Sequence, residues 1–74
     1  MDDLITLLRQ ELRLPPSIQP HTPLLSSGLI DSFGVAAMLA ALETRYAVAI
    51  DPADVGVDNF DTAAQILGFV EARR

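Results

Sequence analysis

The chain has 74 residues, half of them apolar, which is enough for one small folded domain spanning residues 1–74 and too few for two. Ten acidic residues against five arginines give a formal net charge of −5, which argues against binding to DNA or RNA. The absence of cysteine excludes disulfides, thiolate metal sites and a cysteine nucleophile. No apolar stretch is long enough to span a bilayer and no basic, apolar leader opens the chain, so we expect a soluble cytoplasmic protein.

The first predicted helix is amphipathic. Its apolar residues recur at helical spacing and predict a single buried stripe. They are Leu4, Ile5, Leu8 and Leu12. Asp2 and Asp3 are candidate N-terminal caps. We expect the helix to end near Leu14, because Pro15 disfavours a helical conformation in the residue before it.

Residues 14 to 31 are predicted to form one long loop, because prolines recur along it as far as Pro23 and prevent a helix from resuming. A loop of that length is uncommon in a compact domain unless its own apolar side chains pack it down or it carries a function. The expected anchors against the core are Leu24, Leu25, Leu29 and Ile30.

A second helix is predicted from Ser32 to Tyr46, where the loop-forming residues end and apolar residues begin to recur at helical spacing. Its core-facing stripe is Val35, Met38, Leu39, Leu42 and Tyr46. Phe33, Ala36, Ala37, Ala40 and Ala41 lie off that stripe. The alanines are explained either by helix propensity and close packing or by a face that docks a partner, with Phe33 as its anchor.

The pair Asp31-Ser32 places one hydroxyl where the loop becomes a helix. Both residue types are common helix caps, so capping alone accounts for such a pair in isolation. The first N–H groups of a helix lack partners and its dipole is positive there, so a phosphate ester on the Ser32 oxygen would be stabilised. The position suits a serine that carries a phosphate-linked group.

The last third of the chain is predicted to hold one short helix and one longer one. Residues 47–50 are expected to form a loop with Ile50 turned inward, because a lone strand would have no partner. Pro52 suits the first turn of a short, imperfect helix within residues 51–60, whose length Gly56 limits. Thr62 opens the last helix with a capping box. The inward stripe of that helix is Ala63, Ile66, Leu67 and Val70. An all-α fold follows, a small four-helix bundle of three longer helices and one short one.

Two candidate chemical sites fail on their residues. The acidic run from Asp51 to Asp61 lacks the oxygen donors and the terminal glutamate of a calcium loop, so it is predicted to be a solvated acidic edge. His21 is the only histidine and has no second residue with which to form a triad or a metal site. We expect no metal site and no catalytic residue.

With these residues in view, the chain resembles the acyl carrier protein family, which includes peptidyl and aminoacyl carriers. The resemblance covers nearly the whole length and rests on a first helix, a long proline-containing loop, the run Gly28-Leu29-Ile30-Asp31-Ser32-Phe33, a helix ending at an aromatic residue, the Ile50-Asp51-Pro52 restart, and Thr62 opening the last helix. In that family the serine of the Asp-Ser motif receives 4′-phosphopantetheine from coenzyme A, and the thiol of the arm carries cargo as a thioester. The resemblance implies that Ser32 is the attachment residue and that Asp31 helps to present it.

Within the family, residues 28–34 and 59–62 look most like free-standing carriers of the D-alanyl type, which a separate adenylating ligase loads. Phe33 stands where carriers generally have Leu or Met. Glu43 is the only glutamate on the second helix, unlike in carriers of fatty-acid synthases. An alanine-rich face with so few acidic residues would select partners by shape and apolar contact more than by charge.

The resemblance implies a non-catalytic, monomeric carrier that passes an aminoacyl or acyl group between separate biosynthetic enzymes. Its partners would be a phosphopantetheinyl transferase, an adenylating ligase or acyltransferase that loads the arm, and a downstream acceptor enzyme, with Phe33, Ala36 and Ala40 in contact with them. A fatty-acyl or polyketide cargo is the alternative within the family. From another class, the chain would be a helical adaptor whose alanine-rich groove binds a partner helix and whose Asp31-Ser32 pair is only a cap.

Overall fold

Four α-helices, described over residues 1–73 in a computed structural model, confirm the predicted all-α bundle. They are α1 (Asp2–Leu12), α2 (Ser32–Tyr46), α3 (Val57–Phe60) and α4 (Ala63–Arg73). One turn of 3-10 helix, Pro52–Asp54, precedes α3, and residues 1–73 contain no strand. No helix in this part of the chain combines the length and apolar character needed to cross a bilayer.

The core is built from the inward stripes of the helices, with α1 against α2 and α4, and α3 against α4. Its helical members are Leu4, Leu8, Met38, Leu39, Leu42, Phe60, Ala63, Ile66 and Val70. The other residues of the predicted stripes pack around this centre and are half-buried. Each large apolar side chain that leaves water contributes roughly 1.5–3 kcal/mol, so these faces determine how the helices pack.

The start of α1 differs from the prediction. Its N-cap is Met1, and no side chain caps it, so Asp2 and Asp3 are not the caps that the sequence indicated. Instead the carboxylate of Asp3 forms an ion pair with Arg45 in the last turn of α2. The two helices are therefore joined where α1 begins and α2 ends.

The end of α1 comes at Leu12, slightly before the predicted position near Leu14. Arg13 has left-handed backbone angles, with φ of 53°, and its N–H donates to the carbonyl of Arg9. This turn directs Leu14 into the core. By contrast, α2 has the predicted bounds, and Ala47, with φ of 55°, ends it in the same left-handed conformation.

The loop between α1 and α2 is packed down by its own apolar residues. Leu14, Ile18, Leu24 and Ile30 are buried and Leu25 is half-buried, which confirms three of the four predicted anchors. The prediction is wrong for the fourth, Leu29, because 40% of its surface is exposed. It follows Gly28, whose positive φ of 82° closes a turn that projects into solvent.

Residues 51–60 form two short elements where one was predicted. The Asp51 carboxylate caps the 3-10 turn by accepting from the N–H of Ala53 at 2.9 Å. Val55 and Gly56 are then extended, which interrupts the helix before α3 begins. The side chain of Asn59 accepts from the Gly56 N–H at 3.0 Å and so supports the new start.

Candidate functional site

Ser32 lies at the first position of α2 and is exposed to solvent. Within residues 1–73 its hydroxyl takes part in no hydrogen bond. The two serines shortly before it differ in this respect. Ser26 donates to Asp61 at 2.8 Å, and Ser27 donates to the carbonyl of Pro23 at 2.6 Å. Of the three serines between positions 26 and 32, Ser32 alone presents a hydroxyl with no partner among the described residues.

Asp31 is the residue that caps α2. Its backbone is extended, and its Oδ1 accepts from the N–H of Gly34 at 2.8 Å. The backbone carbonyl of Asp31 accepts from the N–H of Val35 at 2.8 Å, which closes the first turn. The cap is therefore complete without the Ser32 hydroxyl. Capping explains Asp31 and leaves the serine available for chemistry.

Phe33, beside the serine, is the most exposed large apolar residue in the described part of the chain, with 89% of its surface accessible. Ala36 and Ala40 are also exposed. The spacing of the three residues places them on one side of α2, away from the buried stripe. An aromatic ring and small apolar residues thus line the outer face that begins at Ser32.

Asp61, which the sequence analysis assigned to a solvated acidic edge, holds the loop in front of Ser32. Its Oδ1 accepts from three consecutive backbone N–H groups: Leu24 at 3.2 Å, Leu25 at 2.8 Å and Ser26 at 2.8 Å. Its Oδ2 accepts from the Ser26 hydroxyl at 2.8 Å. We call this set of hydrogen bonds the Asp61 clamp. Consecutive N–H groups around one oxygen form a concavity that favours an anion.

The clamp changes the chemistry of its carboxylate. The hydrogen bond from the Ser26 N–H is the main reason that the pKa of Asp61 lies below its usual value, while partial desolvation opposes it. The predicted solvated acidic edge is therefore wrong at this position, where the residue is half-buried and both oxygens of its carboxylate accept hydrogen bonds. The sequence carried no local signal for the clamp, since its donors lie in a different loop.

The other candidate ligands stay dispersed. Asp51 caps the 3-10 turn, Asp54 pairs with Arg73 at 3.5 Å, and His21 is exposed in the first loop. Within residues 1–73 no three His, Cys, Asp or Glu side chains gather where a metal ion could bind.

A groove of about 510 Å³ lies between α1 and α2. It is lined by Leu7, Glu11, Ala37, Ala40, Ala41, Thr44 and Arg45. Of the predicted partner-contacting residues, only Ala40 belongs to this lining, so Phe33 and Ala36 mark a different part of the surface. This groove is the structural counterpart of the alanine-rich groove in the adaptor hypothesis.

Comparison with known proteins bears on this site. A family model described as "Phosphopantetheine attachment site" matches residues 2–70. The match includes the capped start of α2, the loop before it and the Asp61 clamp. None of the curated proteins compared with the sequence matches it.

Proposed function

Because the chain belongs to the phosphopantetheine attachment site family of acyl-carrier-type proteins, whose members carry covalent 4′-phosphopantetheine, we propose that Ser32 is the residue to which the group is attached. The observation that supports this most is the unpartnered, exposed hydroxyl of Ser32 at the start of α2, beside a cap that Asp31 completes alone. We further propose that residues 1–74 act as a single carrier domain, monomeric and cytoplasmic, and not as an enzyme.

The start of α2 fits the chemistry of attachment. The Ser32 oxygen would form a phosphoester bond to the pantetheine phosphate as the bond to the nucleotide half of coenzyme A breaks, and its proton would pass to a base on the transferase. In residues 1–73 the N–H groups of Ser32 and Phe33 take part in no hydrogen bond, so they are available to the ester phosphate. When attached, the group supplies a thiol on a flexible arm, which holds cargo as a thioester near a docked enzyme.

We propose an aminoacyl cargo, loaded by an adenylating ligase and passed to a separate acceptor enzyme. This choice over a fatty-acyl or polyketide chain rests on the resemblance to aminoacyl carriers, because carriers of fatty-acid synthases have several glutamates on the second helix and this chain has Glu43 alone. Glu43, the only acidic residue of the helix, already accepts a hydrogen bond from the N–H of Ile50 at 2.9 Å. The outer face therefore offers partners an apolar surface of Phe33, Ala36 and Ala40, which favours enzymes that recognise shape more than charge.

Intact mass spectrometry tests the attachment. The protein is incubated with coenzyme A and a broad-specificity phosphopantetheinyl transferase that is shown to be active on a control carrier. Wild type is expected to gain the mass of one arm and Ser32→Ala none. Ser17→Ala, which removes another exposed loop hydroxyl, is the matched control and should be modified like wild type.

The second candidate function is a helical adaptor, because the groove between α1 and α2 could bind a partner helix. The same experiment separates the two. A wild type that stays unmodified under these conditions contradicts the carrier and favours the adaptor. A modified wild type is next offered amino acids and fatty acids with the candidate loading enzyme. Thioester formation with fatty acids alone would contradict the aminoacyl proposal and leave the carrier in place.

A further inference from the structure

The Asp61 clamp is connected to the modification site by a short path. Leu24, whose N–H is held by Asp61, accepts through its carbonyl from the N–H of Ile30 at 3.1 Å. Ile30 is buried and directly precedes Asp31, the cap of α2. The Leu24 N–H is shared between the Asp61 carbonyl at 2.7 Å and Oδ1 at 3.2 Å, whereas the N–H groups of Leu25 and Ser26 bond to the carboxylate alone. Asp61 is thus linked to the residues that present Ser32 by both its backbone and its side chain.

The clamp also shapes the turn between these two points. The carbonyl of Leu25 accepts from the N–H of Gly28 at 3.2 Å, and the Ser27 hydroxyl bonds to Pro23. Both hydrogen bonds require a particular backbone conformation of residues 24–26. It is the conformation in which the N–H groups of these three residues converge on Asp61. Hydrogen bonds to a charged carboxylate are roughly twice as strong as neutral ones, so the clamp is the strongest polar contact of this turn.

Asp61 itself has a well-defined place between α3 and α4. Its N–H donates to Gln65 Oε1 at 2.9 Å, inside the capping box that Thr62 forms with Gln65, and the preceding Phe60 is fully buried. Two backbone hydrogen bonds join the same regions without the Asp61 side chain. They run from the Leu24 N–H to the Asp61 carbonyl at 2.7 Å and from the Ala64 N–H to the Pro20 carbonyl at 3.0 Å. Removing the carboxylate should therefore loosen the turn without unfolding the bundle.

We infer that Asp61 is a positioning residue for the modification of Ser32: its carboxylate holds residues 24–31 in the conformation that a phosphopantetheinyl transferase recognises. The inference rests on the proposed attachment at Ser32. Asp61 does not contact the reacting atoms. Its carboxylate acts by raising the fraction of molecules in which residues 24–31 have the competent conformation. If loss of the clamp leaves that conformation about one-tenth populated, the KM for the carrier rises about tenfold.

The test combines steady-state kinetics of arm transfer with amide hydrogen exchange, both on the full chain. In Asp61→Ala we expect the KM for the carrier to rise about tenfold with a much smaller change in kcat, together with faster exchange at Leu25 and Ser26. Asp61→Asn keeps an acceptor oxygen and loses the charge, so it should fall between Asp61→Ala and wild type. Asp58→Asn removes the same charge three residues earlier, from an exposed side chain, and should behave like wild type.

Each outcome bears on the inference. Faster exchange in Asp61→Ala with an unchanged KM would overturn it, because the clamp would then only stabilise the fold. Unchanged exchange would overturn it as well, since the carboxylate would not order the loop. If Asp58→Asn raised the KM and the exchange rates as much as the Asp61 variants do, the lost charge alone would explain the result, which would also overturn the inference. If Asp61→Ala loses its helical circular dichroism signal, it has unfolded. The KM and the exchange rates of Asp61→Asn then test the inference by the same criteria. A wild type that gains no arm contradicts the proposed function itself, which separates that failure from these.

Discussion

Gly34 lies so close to Ile30 that a Cβ atom on the glycine would be 2.8 Å from Ile30 Cγ2. Ile30 is buried and cannot withdraw without leaving the core. We therefore expect Gly34→Ala to destabilise the protein by about 1–3 kcal/mol, as overpacking does, despite the better helix propensity of alanine. Urea unfolding monitored by circular dichroism measures the change.

Gly68→Ala is the matched control for this variant. Gly68 also lies within a helix, but a Cβ there would meet nothing within 4 Å. The substitution should stabilise the protein by about 0.5–1 kcal/mol, because alanine loses less backbone entropy on folding. If both variants change stability in the same direction, the close approach at Gly34 does not govern its effect.

Ala47→Gly should stabilise the protein by up to about 1 kcal/mol, because left-handed backbone costs an L-residue roughly 1–2 kcal/mol and glycine avoids it at some cost in entropy. Ala47 ends α2 with φ of 55°, where helices commonly place glycine. Ala49 is exposed, and its φ is not positive. Ala49→Gly should therefore destabilise the protein. The midpoints of urea unfolding of the two variants and wild type provide the comparison, and a loss of stability in Ala47→Gly would contradict the argument.

Stability should depend on pH through Asp61. Its pKa in the folded protein is lowered from an ordinary value of 3.8, so the folded state favours the ionised form. The resulting stabilisation is complete above the unfolded pKa and is lost as the pH falls through the folded one. Unfolding in urea at a series of pH values from 6 downwards should therefore show wild type and Asp61→Asn converging in acid. A difference that stays constant with pH would show that the charge of Asp61 does not contribute.

Phe33→Ala should leave the free energy of unfolding within about 0.5 kcal/mol of wild type, because the ring lies almost wholly in solvent. If the ring anchors partners, its loss should raise the KM of the loading enzyme roughly tenfold, while Phe33→Leu keeps much of the apolar contact and has a smaller effect. Calorimetry and loading kinetics give the two readouts. An unchanged KM in Phe33→Ala would remove Phe33 from the proposed partner surface.

The features that sequence reasoning predicted are those set by neighbouring residues. The start of α2 follows from a loop run that changes into helical periodicity at Ser32, and its Asp31 cap lies next to it. Thr62 and Gln65 form their capping box within four positions, with the Gln65 N–H donating to Thr62 Oγ1 at 3.1 Å. The inward stripes repeat at helical spacing and became the core.

The features that were missed depend on contacts between distant parts of the chain or on backbone angles. The donors of Asp61 lie 35 to 37 positions earlier, so a local reading assigned its carboxylate to solvent. Leu29 looked like an anchor because it is apolar, but the left-handed turn at Gly28 carries it outward. The division of residues 51–60 arises from extended angles at Val55 and Gly56, which composition alone does not reveal.

The ion pair between Asp3 and Arg45 has a practical consequence for anything joined to the amino end of the chain. It fastens the first turn of α1 to the last turn of α2, whereas Ser32 stands at the opposite tip of that 15-residue helix. At 1.5 Å per residue the two tips are about 20 Å apart. A fusion partner or a surface linker coupled through Met1 would therefore be attached near the end of α2 that lies away from the serine. The end of α2 that carries Ser32 would stay accessible to enzymes.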